Sequence, residues 1–329
     1  MTTNLPCPDC GTDVSPDDQF CEACGGGLGV QAPVDGCAAC GATEIDQDGF
    51  CARCGFRRPA ARDRIDLDLP GVAGVSDRGL RHEHNEDAIA VRRVDGCGEV
   101  VVVVSDGVST SDNPEDASAA AVEAAADTLV AALREGDDPA RATRSAVVAA
   151  ASAVAELVRD KPSDNAPACT IVSAVVSADR VTVGWVGDSR AYWLDRDPDA
   201  PSSCLTIDDS WATQMVAAGL ADEETAFADS RAHALTAWLG ADAGEVRPHT
   251  ITVRPTGPGV VLVCSDGLWN YLWDADSLAA QTLPLAMTAP LASARALTRF
   301  ALERGGHDNI TVAVVPFPPR PASTGSTQE

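Results

Sequence analysis

Three features of the sequence predict an α+β fold of mainly antiparallel sheets flanked by helices: short apolar runs bounded by turn residues, a hairpin meander in the second half, and two proline-started, Ala-rich segments. The first strand is VVVVSDG (Val101 to Gly107), wholly apolar as a strand covered on both faces is. Asn113-Pro114-Glu115-Asp116 then places a cap, a proline at the first helical position and two acids before a helix running to Arg134. Asp138-Pro139 opens a second helix, Ala140 to Arg159, in the same way. The meander consists of Thr170 to Ser177, a turn at Ala178-Asp179-Arg180, Val181 to Val186 and Ala191 to Leu194. Val260 to Ser265 and Ile310 to Val315 add two strands, and Ser293 to Glu303 has the apolar spacing of a helix.

The 329 residues carry 24 basic and 49 acidic side chains, a net charge of -25, and 45% of them are apolar. That length and composition suit about two domains and one sizeable core. The acidic excess excludes attraction of the whole chain to nucleic-acid phosphates or anionic lipid. Met1 to Cys10 lacks the basic-then-apolar pattern of a secretion signal, and Ser152 and Glu156 interrupt the longest Ala/Val-rich stretch, Ala146 to Val158. A cytoplasmic protein with no membrane or nucleic-acid partner is expected.

Eight of the twelve cysteines fall into CxxC pairs: Cys7/Cys10 with Cys21/Cys24, and Cys37/Cys40 with Cys51/Cys54, the second set repeating the first at an offset of thirty. A CxxC knuckle brings two thiolates together, the following glycine (Gly11, Gly25, Gly41, Gly55) supplies a φ > 0 position, and two knuckles complete a tetrahedral zinc site. Two zinc ribbons are therefore expected over residues 5–27 and 35–57, resembling the double zinc ribbon attached to many bacterial regulatory proteins. Both zinc sites are structural, closed to substrate, and required for folding. Residues 1–60 hold nine acidic and three basic residues, so the ribbons are expected to contact protein rather than nucleic acid. The expected organisation is ribbons at 1–57, a charged linker at 58–71, a main domain at 72–316 and a Pro/Ser/Thr-rich, disordered tail at 317–329. Cys97, Cys169, Cys204 and Cys264 are isolated and read as small core residues.

Acidic residues stand at the limits of the apolar runs: Glu86-Asp87, Asp106-Gly107, Gly187-Asp188, Asp266-Gly267 and Asp308-Asn309. One Asp-Gly pair is a turn; five such sites are a constellation. Carboxylates that meet at one edge repel unless cations bind between them, and oxygen donors without histidine favour magnesium or manganese over zinc. The pattern points to a hydrolase of phosphate esters with two bound ions.

SDRGLRHEHNEDA (Ser76 to Ala88), VVVVSDG, VGDSRAY (Val186 to Tyr192), LTIDDSW (Leu205 to Trp211), VCSDGLW (Val263 to Trp269) and GHDNITV (Gly306 to Val312) resemble, in order and spacing, the motifs of the metal-dependent (type 2C) serine/threonine protein phosphatases. The resemblance implies a four-layer α-β-β-α sandwich with metals in a cleft at one end. It implies that Asp106 bridges two Mn2+ or Mg2+ ions, with the Gly107 carbonyl on one and Asp266 and Asp308 on the other. Glu86 and Asp87 would orient water, Asn309 would support that shell, and Asp188 would hold a third, weaker ion. Asp209 to about Ala237 would form a flap. Activated water would attack phosphorus directly, and the substrates would be phosphoproteins made by a serine/threonine kinase.

The chain departs from the family at three places. His82 stands where an arginine usually holds the substrate phosphate, with Arg81 just before it; Val108-Ser109-Thr110 replaces a glycine-containing run; Ala168-Cys169-Thr170 replaces Gly-Thr-Thr. His84 is a candidate proton donor to the leaving group, whereas His249 reads as a partly exposed polar side chain and the six tryptophans as core. The alternative to an enzyme is a weakly active or inactive scaffold that binds phosphoprotein, and a third reading makes the ribbons a nucleic-acid module.

Overall fold

The computed structural model describes residues 37, 40, 42–46, 50–55, 60–158 and 165–319, with backbone alone at 5–6 and 13–14. The chain divides into two units, Met1–Ala61 and Arg62–Glu329. In the first, β1 (Leu5–Pro6) pairs antiparallel with β2 (Asp13–Val14), and Ile45 bridges Cys51. Gly55 has φ 70°, the left-handed position expected after the last knuckle. Cys7, Cys10, Cys21 and Cys24 lie outside the described residues.

The second unit runs β3 (Arg64–Leu69), β4 (Val72–Asp77), β5 (Ala88–Arg93), β6 (Val100–Ser105), α1 (Pro114–Arg134), α2 (Pro139–Glu156), β7 (Ala168–Cys169), β8 (Ile171–Val176), β9 (Val181–Val186), β10 (Arg190–Asp195) and β11 (Ser203–Cys204). It continues with α3 (Trp211–Ala217), α4 (Glu223–Ala228), β12 (Leu239–Gly240), β13 (His249–Val253), β14 (Gly259–Cys264), α5 (Asp266–Trp269), α6 (Ala275–Ala286), α7 (Pro290–Glu303) and β15 (Ile310–Phe317). Six strands form one sheet in the order β11-β10-β14-β15-β4-β3, and five form another in the order β13-β9-β8-β6-β5. Every pairing in them is antiparallel.

The layering follows from period-2 side-chain alternation. Val100, Val102 and Val104 of β6 pack with Val261 and Val263 of β14 and Ala313 and Val315 of β15 in the core between the sheets. Val101 and Val103 point the other way, against Ala121, Leu129 and Val147 of α1 and α2. Val260, Leu262, Val312 and Val314 face Leu278 of α6 and Leu297 of α7. Strands covered on both faces must be apolar at every position, which is why β6, β8, β14 and β15 read so clearly in the sequence. The result is the expected α-β-β-α sandwich.

Several expectations are corrected. The span 58–71 is not only linker: Arg64–Leu69 is β3, paired residue for residue with β4 from Arg64↔Asp77 to Leu69↔Val72. Its Ile65, Leu67 and Leu69 are half-buried while Arg64, Asp66 and Asp68 face outward. Strand β15 continues through buried Phe317, so that residue belongs to the sheet; the rest of the expected tail, 320–329, lies outside the described residues. Asn113 precedes α1 with φ 49° and makes no side-chain cap. Asp138 does cap α2, accepting from the Arg141 amide. Cys169 and Cys264 are buried as expected, but Cys97 sits in the exposed β5–β6 turn and Cys204 on exposed edge strand β11. Trp185, Trp193 and Trp269 are core, whereas Trp273 is 73% exposed.

Candidate metal centre

The strand registers bring the acidic positions to one end of the sandwich. In the five-stranded sheet, Ala88 at the start of β5 opposes Ser105 at the end of β6, so Asp87 and Asp106 emerge side by side. Strand β9 ends there too, with Gly187-Asp188 following Val186. In the six-stranded sheet, Cys264 at the end of β14 opposes Val312, two residues into β15, and places Asp266 near Asp308 and Asn309. Asp87 and Asp188 are buried although charged residues seldom are.

This cluster is electrostatically unstable without cations. Burial pushes the Asp106 carboxyl well above the usual range, and the charges of Asp87, Asp266, Asp308 and Asp188 push it further. Burial and then the Asp308 charge raise Asp266 to about 6. Burial raises Asp87 to about 7 against a hydrogen bond from the Ser265 hydroxyl, with the Asp308 and Asp266 charges adding to the rise. Asp188 is raised by burial and by the Asp266 and Asp208 charges, with Arg190 opposing. Asp87 Oδ1 and Asp266 Oδ1 are buried without a hydrogen-bond partner. Orphaned, buried, mutually repelling carboxylate oxygens fit hard divalent cations. Among the described residues no three of these carboxylates bring oxygens within 4.8 Å of one another, a looser set than the four cysteines below.

The surrounding residues hold the cluster in place. Asn309 Oδ1 accepts from the Glu86 amide at 2.7 Å, while its Nδ2 donates to the Arg78 and His84 carbonyls at 2.8 and 3.1 Å. Asn309 is thus the tie between β15 and the Glu86 loop. Ser109 donates to Glu86 Oε2. Gly107 bridges Cys169 of β7, and the flanking bonds Val108 N to Ala168 O and Thr170 N to Asp106 O turn the Gly107 N–H and C=O away from β7. A Cβ at Gly107 would lie 2.8 Å from the Glu86 carbonyl oxygen and the Pro114 Cβ, so only glycine fits.

His82 lies between two carboxylates, Nε2 3.2 Å from Asp308 Oδ1 and Nδ1 3.7 Å from Glu86 Oε1. Arg81 and His84 are exposed. Sequence reasoning missed Ser265, whose hydroxyl donates to Asp87 Oδ2 at 2.7 Å, and Arg190, which grips Asp208 at 2.9 and 2.7 Å while stacking on Trp269. Trp269 Nε1 in turn donates to the Asp188 carbonyl. His249 is not merely a polar surface group: its Nε2 meets Asp209 Oδ1 at 2.9 Å and its ring stacks on Trp185. Asp209 Oδ2 accepts from the Gly187 amide, so this pair anchors the base of α3 and α4 beside Asp188.

In the amino-terminal unit, the donor atoms of Cys37, Cys40, Cys51 and Cys54 all lie within 4.8 Å of one another. Cys37 Sγ is 3.5 Å from Cys54 Sγ and Cys40 Sγ 3.6 Å from Cys51 Sγ, close to the edge of a tetrahedron with zinc–sulfur bonds of about 2.3 Å.

A carboxylate cluster between the ends of two stacked antiparallel sheets, flanked by helices, defines the class: an oxygen-ligated, divalent-metal-binding sandwich protein. Residues 78–300 match the family described as protein phosphatase 2C, and the chain belongs to that family. Residues 7–55 match the double zinc ribbon. The chain is 31% identical over 250 residues to the serine/threonine protein phosphatase PstP of Mycobacterium tuberculosis, covering 74% of this chain but 44% of that one. It thus spans less than half the length of that curated relative. The fold is shared with the serine/threonine phosphatase Stp1 of Staphylococcus aureus, at a TM-score of 0.64 and 22% identity over 76% of this chain and 96% of that one. The catalytic domain of PstP in complex with two manganese ions is similar at a TM-score of 0.55 and 27% identity, over 74% of this chain and 97% of that one.

Proposed function

We propose that this chain is a serine/threonine protein phosphatase that hydrolyses phosphoserine and phosphothreonine in proteins with bound manganese or magnesium. The observation that carries the reading is the pair of orphaned oxygens, Asp87 Oδ1 and Asp266 Oδ1, in a cluster where burial and neighbouring carboxylates raise the pKa values of Asp87, Asp106, Asp188 and Asp266. The related phosphatase domain crystallised with two manganese ions supports it.

Asp106, the Gly107 carbonyl, Asp266 and Asp308 would hold two ions between them, and Asp188 would hold a third, weaker one. Bound divalent ions lower the pKa of water and offset negative charge on the phosphoryl oxygens. The chain's own groups do the rest. Asp87, fixed at Oδ2 by Ser265, presents Oδ1 to orient the attacking water, and Glu86 does the same from a backbone held by Asn309. Because Glu86 and Asp308 face His82, the exposed Arg81 is the side chain to meet the substrate phosphate, and exposed His84 is the candidate to protonate the leaving oxygen. Burial holds the Cys264 and Cys169 thiols far up, Cys169 to about 12, so neither buried cysteine is a thiolate nucleophile.

The substrates are phosphoproteins produced by a serine/threonine kinase, and the zinc ribbons serve as a surface for another protein. Among the described residues no helix is long and apolar enough to cross a membrane. Phosphate release from p-nitrophenyl phosphate and from a phosphothreonine peptide, titrated with Mn2+, tests the reading. Release that depends on Mn2+ is expected; no release at saturating Mn2+ would leave a phosphoprotein-binding scaffold instead.

A further inference from the structure

We propose that Arg62 and Asp63, the first residues of the second unit, are positioning residues for the metal centre. The inference rests on the metal-centre reading above.

The compact catalytic unit begins at Arg62, eight residues after the last ribbon cysteine, Cys54. Its first two residues are built into the loop that carries Glu86 and Asp87. The Arg62 carbonyl accepts from Asn85 Nδ2 at 2.9 Å. Asn85 is 3% exposed, and it also donates to Ser76 Oγ at 2.9 Å and accepts from the Asp87 amide at 3.3 Å. The Arg62 guanidinium donates to the Glu115 carbonyl at 2.7 Å in the first turn of α1. Ser118 in that turn donates to both the Glu115 and the Glu86 carbonyls. One residue therefore grips the acidic loop from two sides, directly through Asn85 and indirectly through the start of α1.

Asp63 makes the second connection. Its carbonyl accepts from the Arg78 amide at 2.8 Å, and its Oδ2 lies 3.7 Å from Arg78 Nε, which is buried with no hydrogen-bond partner of its own. Arg78 donates to the His82 carbonyl, and its own carbonyl accepts from Asn309 Nδ2. Asp63 is thereby connected to both Asn309 and His82 through Arg78 alone.

A buried amide whose fixed partners include a main-chain carbonyl has no alternative acceptor if that carbonyl moves, and a buried donor left unmet costs about 1–3 kcal/mol. Displacing Arg62 must shift Asn85, and the Asp87 amide with it.

The test uses the full chain and reads Mn2+ binding by the electron paramagnetic resonance of free Mn2+, with no turnover required. Arg62→Ala and Asp63→Ala should each raise the Mn2+ concentration at half-saturation about tenfold, as loss of groups behind metal ligands does. Asp66→Ala, which cuts the ion pairs of β3 to Arg64 and Arg295 only, should lower thermal stability and leave that titration in place. Wild-type titrations in Arg62→Ala and Asp63→Ala overturn the positioning role. A wild-type chain that binds no Mn2+ overturns the metal centre itself.

Discussion

At the scale of single residues, the acidic cluster makes two demands that can be measured apart. Its carboxyls keep protons in the folded state that an unfolded carboxyl, with its pKa near 3.8, has released. Folded pKa values of about 6 for Asp266 and about 7 for Asp87 mean that the metal-free fold is favoured below pH 4 and loses stability as pH rises between 4 and 7. Metal-free protein should therefore melt at a lower temperature at pH 8 than at pH 5, and Mn2+ should raise the melting temperature more at pH 8; equal melting at both would argue that the cluster is not buried together. Asp106→Asn should relieve repulsion, leave the fold intact and lower Mn2+-dependent turnover about a hundredfold or more. Arg81→Ala should raise KM about tenfold with kcat little changed, as loss of one charge-assisted hydrogen bond to the substrate phosphate would; an unchanged KM would show that Arg81 does not meet that phosphate. Asp87, Asp106, Asp188, Asp266 and Asp308 are legible because each stands at the limit of an apolar run. Ser265, Asn85 and the Arg190–Asp208 pair are not, because their partners are distant in sequence and a lone Ser or Asn has no spacing to reveal it.

At the scale of elements, legibility tracked burial on two faces. Strands β6, β8, β14 and β15 are apolar throughout and stand out from their surroundings. Strand β3, Arg-Ile-Asp-Leu-Asp-Leu, is an edge strand with one solvated face; its charges dominate the local composition and disguise an alternation that does mark a half-buried strand. The consequence is practical. A chain starting at Arg62 keeps β3 on the edge of its sheet, whereas one starting at Val72 uncovers β4. An exposed, fully apolar edge pairs with other chains. The shorter form should aggregate on expression while the longer remains monodisperse in size-exclusion chromatography; a stable monomer from Val72 would show that β3 contributes nothing. Helices α3 and α4 leave no clear mark in the sequence because their core is only Ala212, Ala226 and Ala232 with a few half-buried neighbours, too small for a periodic apolar stripe. Their base depends on the Asp209–His249 pair, so Asp209→Ala should speed amide exchange over Trp211–Ala228 without changing exchange in β14. Equal exchange in both proteins would assign the anchoring to the other contacts of that segment.

At the scale of the whole molecule, two kinds of metal site divide the work by ligand chemistry. The thiolates of Cys37, Cys40, Cys51 and Cys54 would close around a structural ion, and the carboxylates at the end of the sandwich would leave an open, oxygen-lined site for ions that take part in chemistry. The purified full chain should hold two zinc ions that dialysis against Mn2+ does not displace; fewer than two would mean that one cysteine quartet is not a zinc site. The central claim is that the carboxylate cluster is a working phosphatase centre, and the most direct measurement of it is phosphate released from a phosphothreonine peptide by the zinc-loaded full chain as Mn2+ is titrated, beside Asp106→Asn. The account predicts release that saturates with Mn2+ in the wild-type chain and falls to near background in the variant. Release that ignores Mn2+, or that Asp106→Asn leaves undiminished at saturating Mn2+, would contradict it.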